Sequence, residues 1–238
     1  NVNTSGYKRV RADFADQFYQ QLLPPGVPAG GGHTPTGIQQ GTGVRMVSTT
    51  RNFAQGPIEI TSQALDWSIE GEGFFRVTRG AGAQDRLYTR AGNFHRDGEG
   101  NIVTTGGFRL DPPINIPENI TDVQISIDGR VSGNDPTTPG QPQDLGQIQI
   151  VRFRNPNGLR AVGENFFEEN EASAGAPIEG NAGDPGFGIV RDRAIEGSNV
   201  DVIRELVDLI QAQRAFEVNM NSIKASDEIL QTVNNLRR

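Results

Sequence analysis

The sequence predicts a mainly β fold that ends in one long C-terminal α-helix. Thirty Gly and 14 Pro in 238 residues, with only 34% hydrophobic residues, fit many short strands joined by tight turns. The middle of the chain alternates apolar and polar residues with period two. The C-terminal stretch instead spaces its apolar residues by four and three and contains no Gly or Pro after Gly197.

Residues 1–64 read as a turn, a linker and a loop. The opening NVNTSGYKR collects Asn1, Asn3, Ser5 and Gly6, which are turn formers. A turn needs an element on each side, and the partner that the apolar seam of the C-terminal helix requires is expected to be a helix preceding Asn1. Lys8, Arg9 and Arg11 make a weak basic patch that either meets an acidic neighbour or solvates the turn. Gln20 to Gly43 holds Pro24, Pro25, Gly30, Gly31, Gly32 and Pro35. Such a run suits neither a regular helix nor a central strand, and predicts a long irregular loop ordered against a neighbour.

Residues 65–187 read as a β-rich domain. DWSIEGEGFFRVT places Trp67 and Ile69 before Glu70-Gly71-Glu72-Gly73, and Phe75 and Val77 after it, which predicts a hairpin. Phe94 leads through Asp97-Gly98-Glu99-Gly100 to Ile102 and Val103, and Gly106-Gly107 turns the chain into Phe108 and Leu110. Val123, Ile125 and Ile127 precede an Asp128-Gly129 turn. Ile148, Ile150 and Phe153 are expected on one strand face.

Residues 188–238 read as a return strand and a helix. Ser198 and Asp201 have the spacing of a capping box, and the helix they open should run to about Leu236, roughly 55–60 Å. Its seam is Val202, Leu206, Leu209, Gln213, Phe216, Met220, Ile223, Asp227, Leu230 and Asn234, apolar with polar interruptions. Burying about ten apolar side chains of the seam and its flanks, which include Ile203, Val207, Ile210 and Ile229, is worth roughly 15–30 kcal/mol before entropy, an upper bound. The seam therefore needs a partner, and residues 1–238 offer no second long helix.

Several functions are excluded by what the sequence holds. A net charge of −7 and no basic cluster argue against nucleic acid. The absence of Cys removes disulfides, thiolate metal sites and a Cys nucleophile. His33 sits in the Gly/Pro stretch and His95 on a hairpin, neither beside a nucleophile. Glu168, Glu169 and Glu171 form an acidic stretch without EF-hand spacing, which reads as a solvated loop. GEGFFRV lacks the third Gly of a dinucleotide site, and GVPAGGGHTPTG lacks the Gly-Lys-Ser/Thr end of a P-loop. No catalytic residue, metal, cofactor or small-molecule substrate is expected.

Three blocks carry a resemblance: NVNTSGYKR at the start, DWSIEGEGFFRV with YTRAGNFHRDGEGNIVTTGGFRL in the middle, and EGSNVDVIRELVDLIQAQRAFEVNMNSIKASDEILQTVNNL at the end. In content and order they resemble the flagellar rod and hook protein family of bacteria, over nearly the whole chain. FYQQLLPPGVPAGGGHTPTGIQQGTGVR resembles the stretch that sets distal rod subunits of that family apart from hook subunits and is implicated in a straight, stiff rod. The resemblance implies a non-enzymatic subunit of the distal rod, polymerising with itself into a helical tube that carries motor torque across the periplasm. It implies terminal helices bundled at the inner wall and β domains outside. Implied partners are proximal rod and hook-side axial proteins, the surrounding P-ring and L-ring, and the flagellar type III export apparatus. A proximal rod or hook subunit is the alternative within the family. An oligomeric cell-surface adhesin is the alternative outside it, and would close into a fixed oligomer rather than an open tube.

Overall fold

The computed structural model describes residues 1–26, 28–29, 32–33, 35–80, 85–136 and 142–236. Mainly β architecture with a single long C-terminal helix is what they show. Apolar alternation finds its place in a nine-stranded antiparallel sheet built around Phe74–Thr78. One edge of that strand pairs with Arg86–Thr89; the other pairs with Arg109–Leu110 toward its end and with Gln149–Arg152 toward its start.

Being central, Phe74–Thr78 is covered on both faces, and its side chains divide between two cores. Phe75 and Val77 join Trp67, Ile69, Phe94 and Ile150 in the larger one. Phe74 joins Tyr88, Val151, Phe153 and Phe167 in the smaller one. Edge-on aromatic contacts tie each together, with Phe75 and Phe94 centroids 5.2 Å apart and Tyr88 and Phe153 4.8 Å apart. Phe153 therefore lies on the face opposite Ile148 and Ile150, contrary to expectation. It is an odd number of residues from Ile150, and period two sends it with Val151.

The hairpin expected between Trp67 and Val77 is also not a hairpin. Trp67–Glu70 pairs with Ile189–Asp192, while Phe74–Thr78 enters the large sheet. Gly71 and Gly73, at φ +108° and +139°, swing the chain from one sheet into the other instead of folding it back. The next two turns do form ladders. Phe94–Arg96 pairs with Ile102–Thr104 through the Asp97 turn, and Val103 pairs with Arg109. Asp122–Ile125, Arg130–Asn134 and Gln143–Gln147 make a separate three-stranded sheet.

The Gln20 to Gly43 stretch is the largest departure from the sequence reading. It belongs to a two-stranded antiparallel ribbon, in which Val10–Asp16 pairs with Val44–Arg51 and Tyr19–Leu23 with Ile38–Gly41. Pro28–Ala29 pairs with Gly32–His33 further along the same ribbon. In a two-stranded ribbon every strand is an edge and tolerates proline: Pro24 and Pro25 fall beyond Leu23, where the ladder is interrupted, and Pro28 lies within a paired strand. Pro35 precedes the returning strand, Gly32 lies within a paired strand, and Gly30 and Gly31 lie outside the described residues. Along Val10–Leu23 the ribbon is about 45 Å long.

The C-terminal helix spans Val202–Leu236. Asp201 caps it, its Oδ1 accepting the N–H of Ile203 at 3.0 Å and of Arg204 at 3.3 Å. Ser198 takes no part in that cap: it is buried in the preceding extended segment, where its Oγ accepts the Val200 N–H at 3.3 Å. Among the described residues no helix is long and apolar enough to cross a membrane.

Candidate assembly surfaces

Two arms leave the β body with their apolar side chains in solvent. The first is the helix. Val202, Leu206, Leu209, Phe216, Met220, Ile223 and Leu230 are all exposed, from 38% at Met220 to 66% at Phe216. Ile203, Val207, Ile210 and Ile229 widen the same exposed seam. The second arm is the ribbon, where Phe14, Phe18, Tyr19, Leu22, Ile38, Val44 and Met46 are exposed. A lone two-stranded ribbon is marginal in water, and a bare heptad seam is costly. Isolated exposed hydrophobics are ordinary; two contiguous arms of them mark interaction surfaces.

Both arms spring from one corner of the body, formed by residues 6–9, 52–57 and 194–199. Ala194–Glu196 pairs with Ile58–Ile60, and the Gly6 N–H donates to the Glu196 carbonyl at 2.7 Å. At its centre Lys8 and Glu196 are both buried, with Lys8 Nζ 2.5 Å from Glu196 Oε1 and donating to the Ala54 carbonyl at 2.8 Å. The Gly56 N–H donates to the same Glu196 oxygen at 2.9 Å. Arg90, 6% exposed, brings Nη1 to 3.4 Å from Glu196 Oε2 and donates to the carbonyls of Ile69 and Gly71. Burial pushes Lys8 below its ordinary 10.5, with Glu196 opposing the shift. Arg90 is lowered in the same way.

The corner continues directly into both arms. The Arg9 N–H donates to Asn199 Oδ1 at 2.7 Å, and Asn199 Nδ2 donates to the carbonyls of Asn52 and Ala54. Arg9 also meets Glu205 and Asp208 in the first turns of the helix, at 2.5 and 3.2 Å. Lys8 and Arg9 thus meet acidic neighbours within the chain instead of solvating a turn. Lys8 is interior and Arg9 ties the ribbon root to the helix root. No local signal in the sequence connects Lys8 to Glu196, 188 positions away.

Elsewhere the surface offers little chemistry. One open cleft of about 400 Å³ is lined by Thr4, Ser5, Asn93, Thr105, Glu164 and Asn165 among others. Among the described residues no group of three His, Asp or Glu is placed to hold a metal ion. His95 is exposed on its strand. The acidic stretch is more structured than a solvated loop, since Glu168 lies on a strand and pairs with Arg160, while Glu169 accepts the Tyr88 hydroxyl at 2.7 Å.

A closed β body bearing two apolar arms from one root defines a class: structural subunits that complete their folding surfaces against other molecules. The family model described as the flagellar hook protein FlgE/F/G D1 domain matches residues 68–133, and that of the flagellar basal body rod FlgEFG protein C-terminal matches 191–236. The chain is 44% identical over 239 residues to the flagellar basal-body rod protein FlgG of Buchnera aphidicola subsp. Acyrthosiphon pisum, covering 99% of this chain and 90% of that one. Identity is 42% to FlgG of Caulobacter vibrioides, covering 100% and 90%. Against the flagellar hook protein FlgE of Salmonella typhimurium it is 40% over 142 residues, 59% of this chain and 33% of that one. The chain belongs to the FlgG family of flagellar basal-body rod proteins. It is a structural subunit of the rod, not an enzyme, and associates with itself and with other axial flagellar proteins.

Proposed function

We propose that the chain occupies the distal part of the rod and polymerises there through its two arms into an open helical tube that carries motor torque to the hook. The observation that supports this most is the exposed heptad seam of Val202–Leu236 on a body whose own cores are already closed. In this reading Val202, Leu206, Leu209, Phe216, Met220, Ile223 and Leu230 pack against terminal helices of neighbouring subunits at the inner wall, leaving the β body outside. The polar interruptions at Gln213 and Asp227 fix the register of that packing. The ribbon is the rod-specific element and stiffens the tube by lying along a neighbouring subunit. The P-ring and L-ring surround the finished rod, and the chain reaches it through the flagellar type III export apparatus. Contacts that propagate rather than close are what a tube requires, which sets the adhesin reading aside.

The test is genetic and visual. With Leu206→Asp and Phe216→Asp together in the source bacterium, isolated basal bodies seen by electron microscopy should carry shortened rods without hooks, while the purified variant keeps the thermal midpoint of its β body. Full-length rods bearing hooks would refute the role of the seam. Deleting the gene separates the alternatives: a truncated rod supports the distal position, and an intact rod lacking only its hook would make the chain a hook subunit.

A further inference from the structure

We infer that the buried Lys8–Glu196–Arg90 cluster is an orientation lock, which sets the mutual angle of ribbon, helix and body and is not needed to hold the body folded. The inference concerns the single subunit and stands whichever molecule the arms meet.

Position is the first argument. The ribbon leaves the body at Val10, two residues after Lys8, and returns at Arg51, three residues before Ala54, whose carbonyl Lys8 binds. The helix starts at Val202, six residues after Glu196. Arg90 belongs to the body, its guanidinium held by the carbonyls of Ile69 and Gly71. One charged group thus comes from the root of each arm and one from the frame between them.

Chemistry is the second argument. Three titratable groups, two basic and one acidic, lie fully or almost fully out of water. Desolvation makes such a cluster a poor source of net stability, because apolar residues of similar volume commonly do as well or better. What ions supply and apolar packing does not is direction. Glu196 Oε1 accepts from Lys8 Nζ and from the Gly56 N–H, while Oε2 faces Arg90 Nη1 at 3.4 Å without a hydrogen bond, so rotation of either arm root separates a buried charge from its counter-charge.

Separation from the cores is the third argument. Glu196 lies on a strand that pairs outside the nine-stranded sheet, and the cluster meets the cores only through Arg90, whose guanidinium lies 5.6 Å from the centre of the Phe74 ring and binds the Ile69 carbonyl. The contact of Lys8 with Glu196 can therefore loosen while Arg90 keeps its place on the body. It also couples the arms, since fixing the helix root in an assembly holds the Glu196 to which the ribbon root is bound.

Amide hydrogen exchange on the full-length chain tests this, with Lys8→Met/Glu196→Gln as the variant. The side-chain amide placed at position 196 keeps an acceptor for Gly56, and the pair of substitutions removes opposite charges together. Exchange should quicken at least tenfold at both arm roots, residues 10–13, 49–52 and 203–206, while residues 74–78 and 86–89 keep their protection. Unchanged exchange at the roots would overturn the lock. So would loss of protection throughout the body, which would make the cluster part of the general fold. The single Glu196→Gln variant strands Lys8 as an unpaired buried cation and should quicken the roots more than the double variant does; the reverse order would also overturn the proposal.

Discussion

Gly6 is one of the tight points of the corner. Its φ is +67°, and a Cβ there would sit 2.5 Å from the backbone nitrogen of Ala91, next to Arg90. Gly6→Ala should therefore cost more than the roughly 1–2 kcal/mol of a left-handed L-residue alone, read as a lowered urea midpoint. Asp201 offers a milder case. Its carboxylate caps two N–H groups at the helix start, and Asp201→Ala should lose about 1 kcal/mol, visible as reduced helical circular dichroism at constant body stability. Asp97 gives a pH dependence. The Asn101 side chain, then the backbone N–H groups of Asn101 and Glu99 and the nearby Arg109, hold its carboxyl below the ordinary 3.8. A folded pKa depressed below the unfolded one means the unfolded chain binds the proton first. The contribution is thus present above about pH 4 and is lost as pH falls through the folded value. Asp97→Asn should flatten the stability profile below pH 4 and leave its slope near neutrality unchanged.

At the scale of elements, the ribbon is expected to be dispensable for the fold of the body. Replacing residues 19–41 with a short Asn-Gly turn between the remaining strands should leave the thermal midpoint of the β body within a few degrees, because none of the described residues among them joins either core. In cells the same deletion should yield rods that bend, measured as the distribution of axis angles in isolated basal bodies. The ribbon also shows where sequence reading stops. Helix, Asp97 hairpin and Asp128-Gly129 hairpin were legible because each is specified locally, by period or by turn chemistry. The ribbon was not, because its partner strands are joined across a Pro/Gly stretch whose composition resembles that of a loop, and neither strand alternates cleanly when both faces meet solvent. Trp67–Glu70 shows the same limit, since its partner, Ile189–Asp192, is over 100 residues away and no local pattern names it. The seam residues of the helix were legible as a stripe; Lys8, Glu196 and Arg90 were not, because a buried ion cluster made from distant segments has no period.

For the molecule as a whole, the central strand Phe74–Thr78 makes the β body one cooperative unit. Its alternate side chains enter different cores, so neither core can open alone. Phe75→Ala should cost about 3–5 kcal/mol and lower a single transition rather than split it in two, as differential scanning calorimetry would show. The seam behaves oppositely: Leu206→Asp changes an exposed site in the isolated subunit and should leave that transition nearly unmoved.

Both arms join the body at one corner, and that shapes the load path. A twist applied between helix and ribbon enters through Val202 and leaves through Val10 and Arg51, positions bridged by Arg9, Asn199 and Glu196 over a few hydrogen bonds. The nine-stranded sheet holds none of these bridging residues. If the arms pack as proposed, torsion between neighbouring subunits would enter and leave each of them at this one corner.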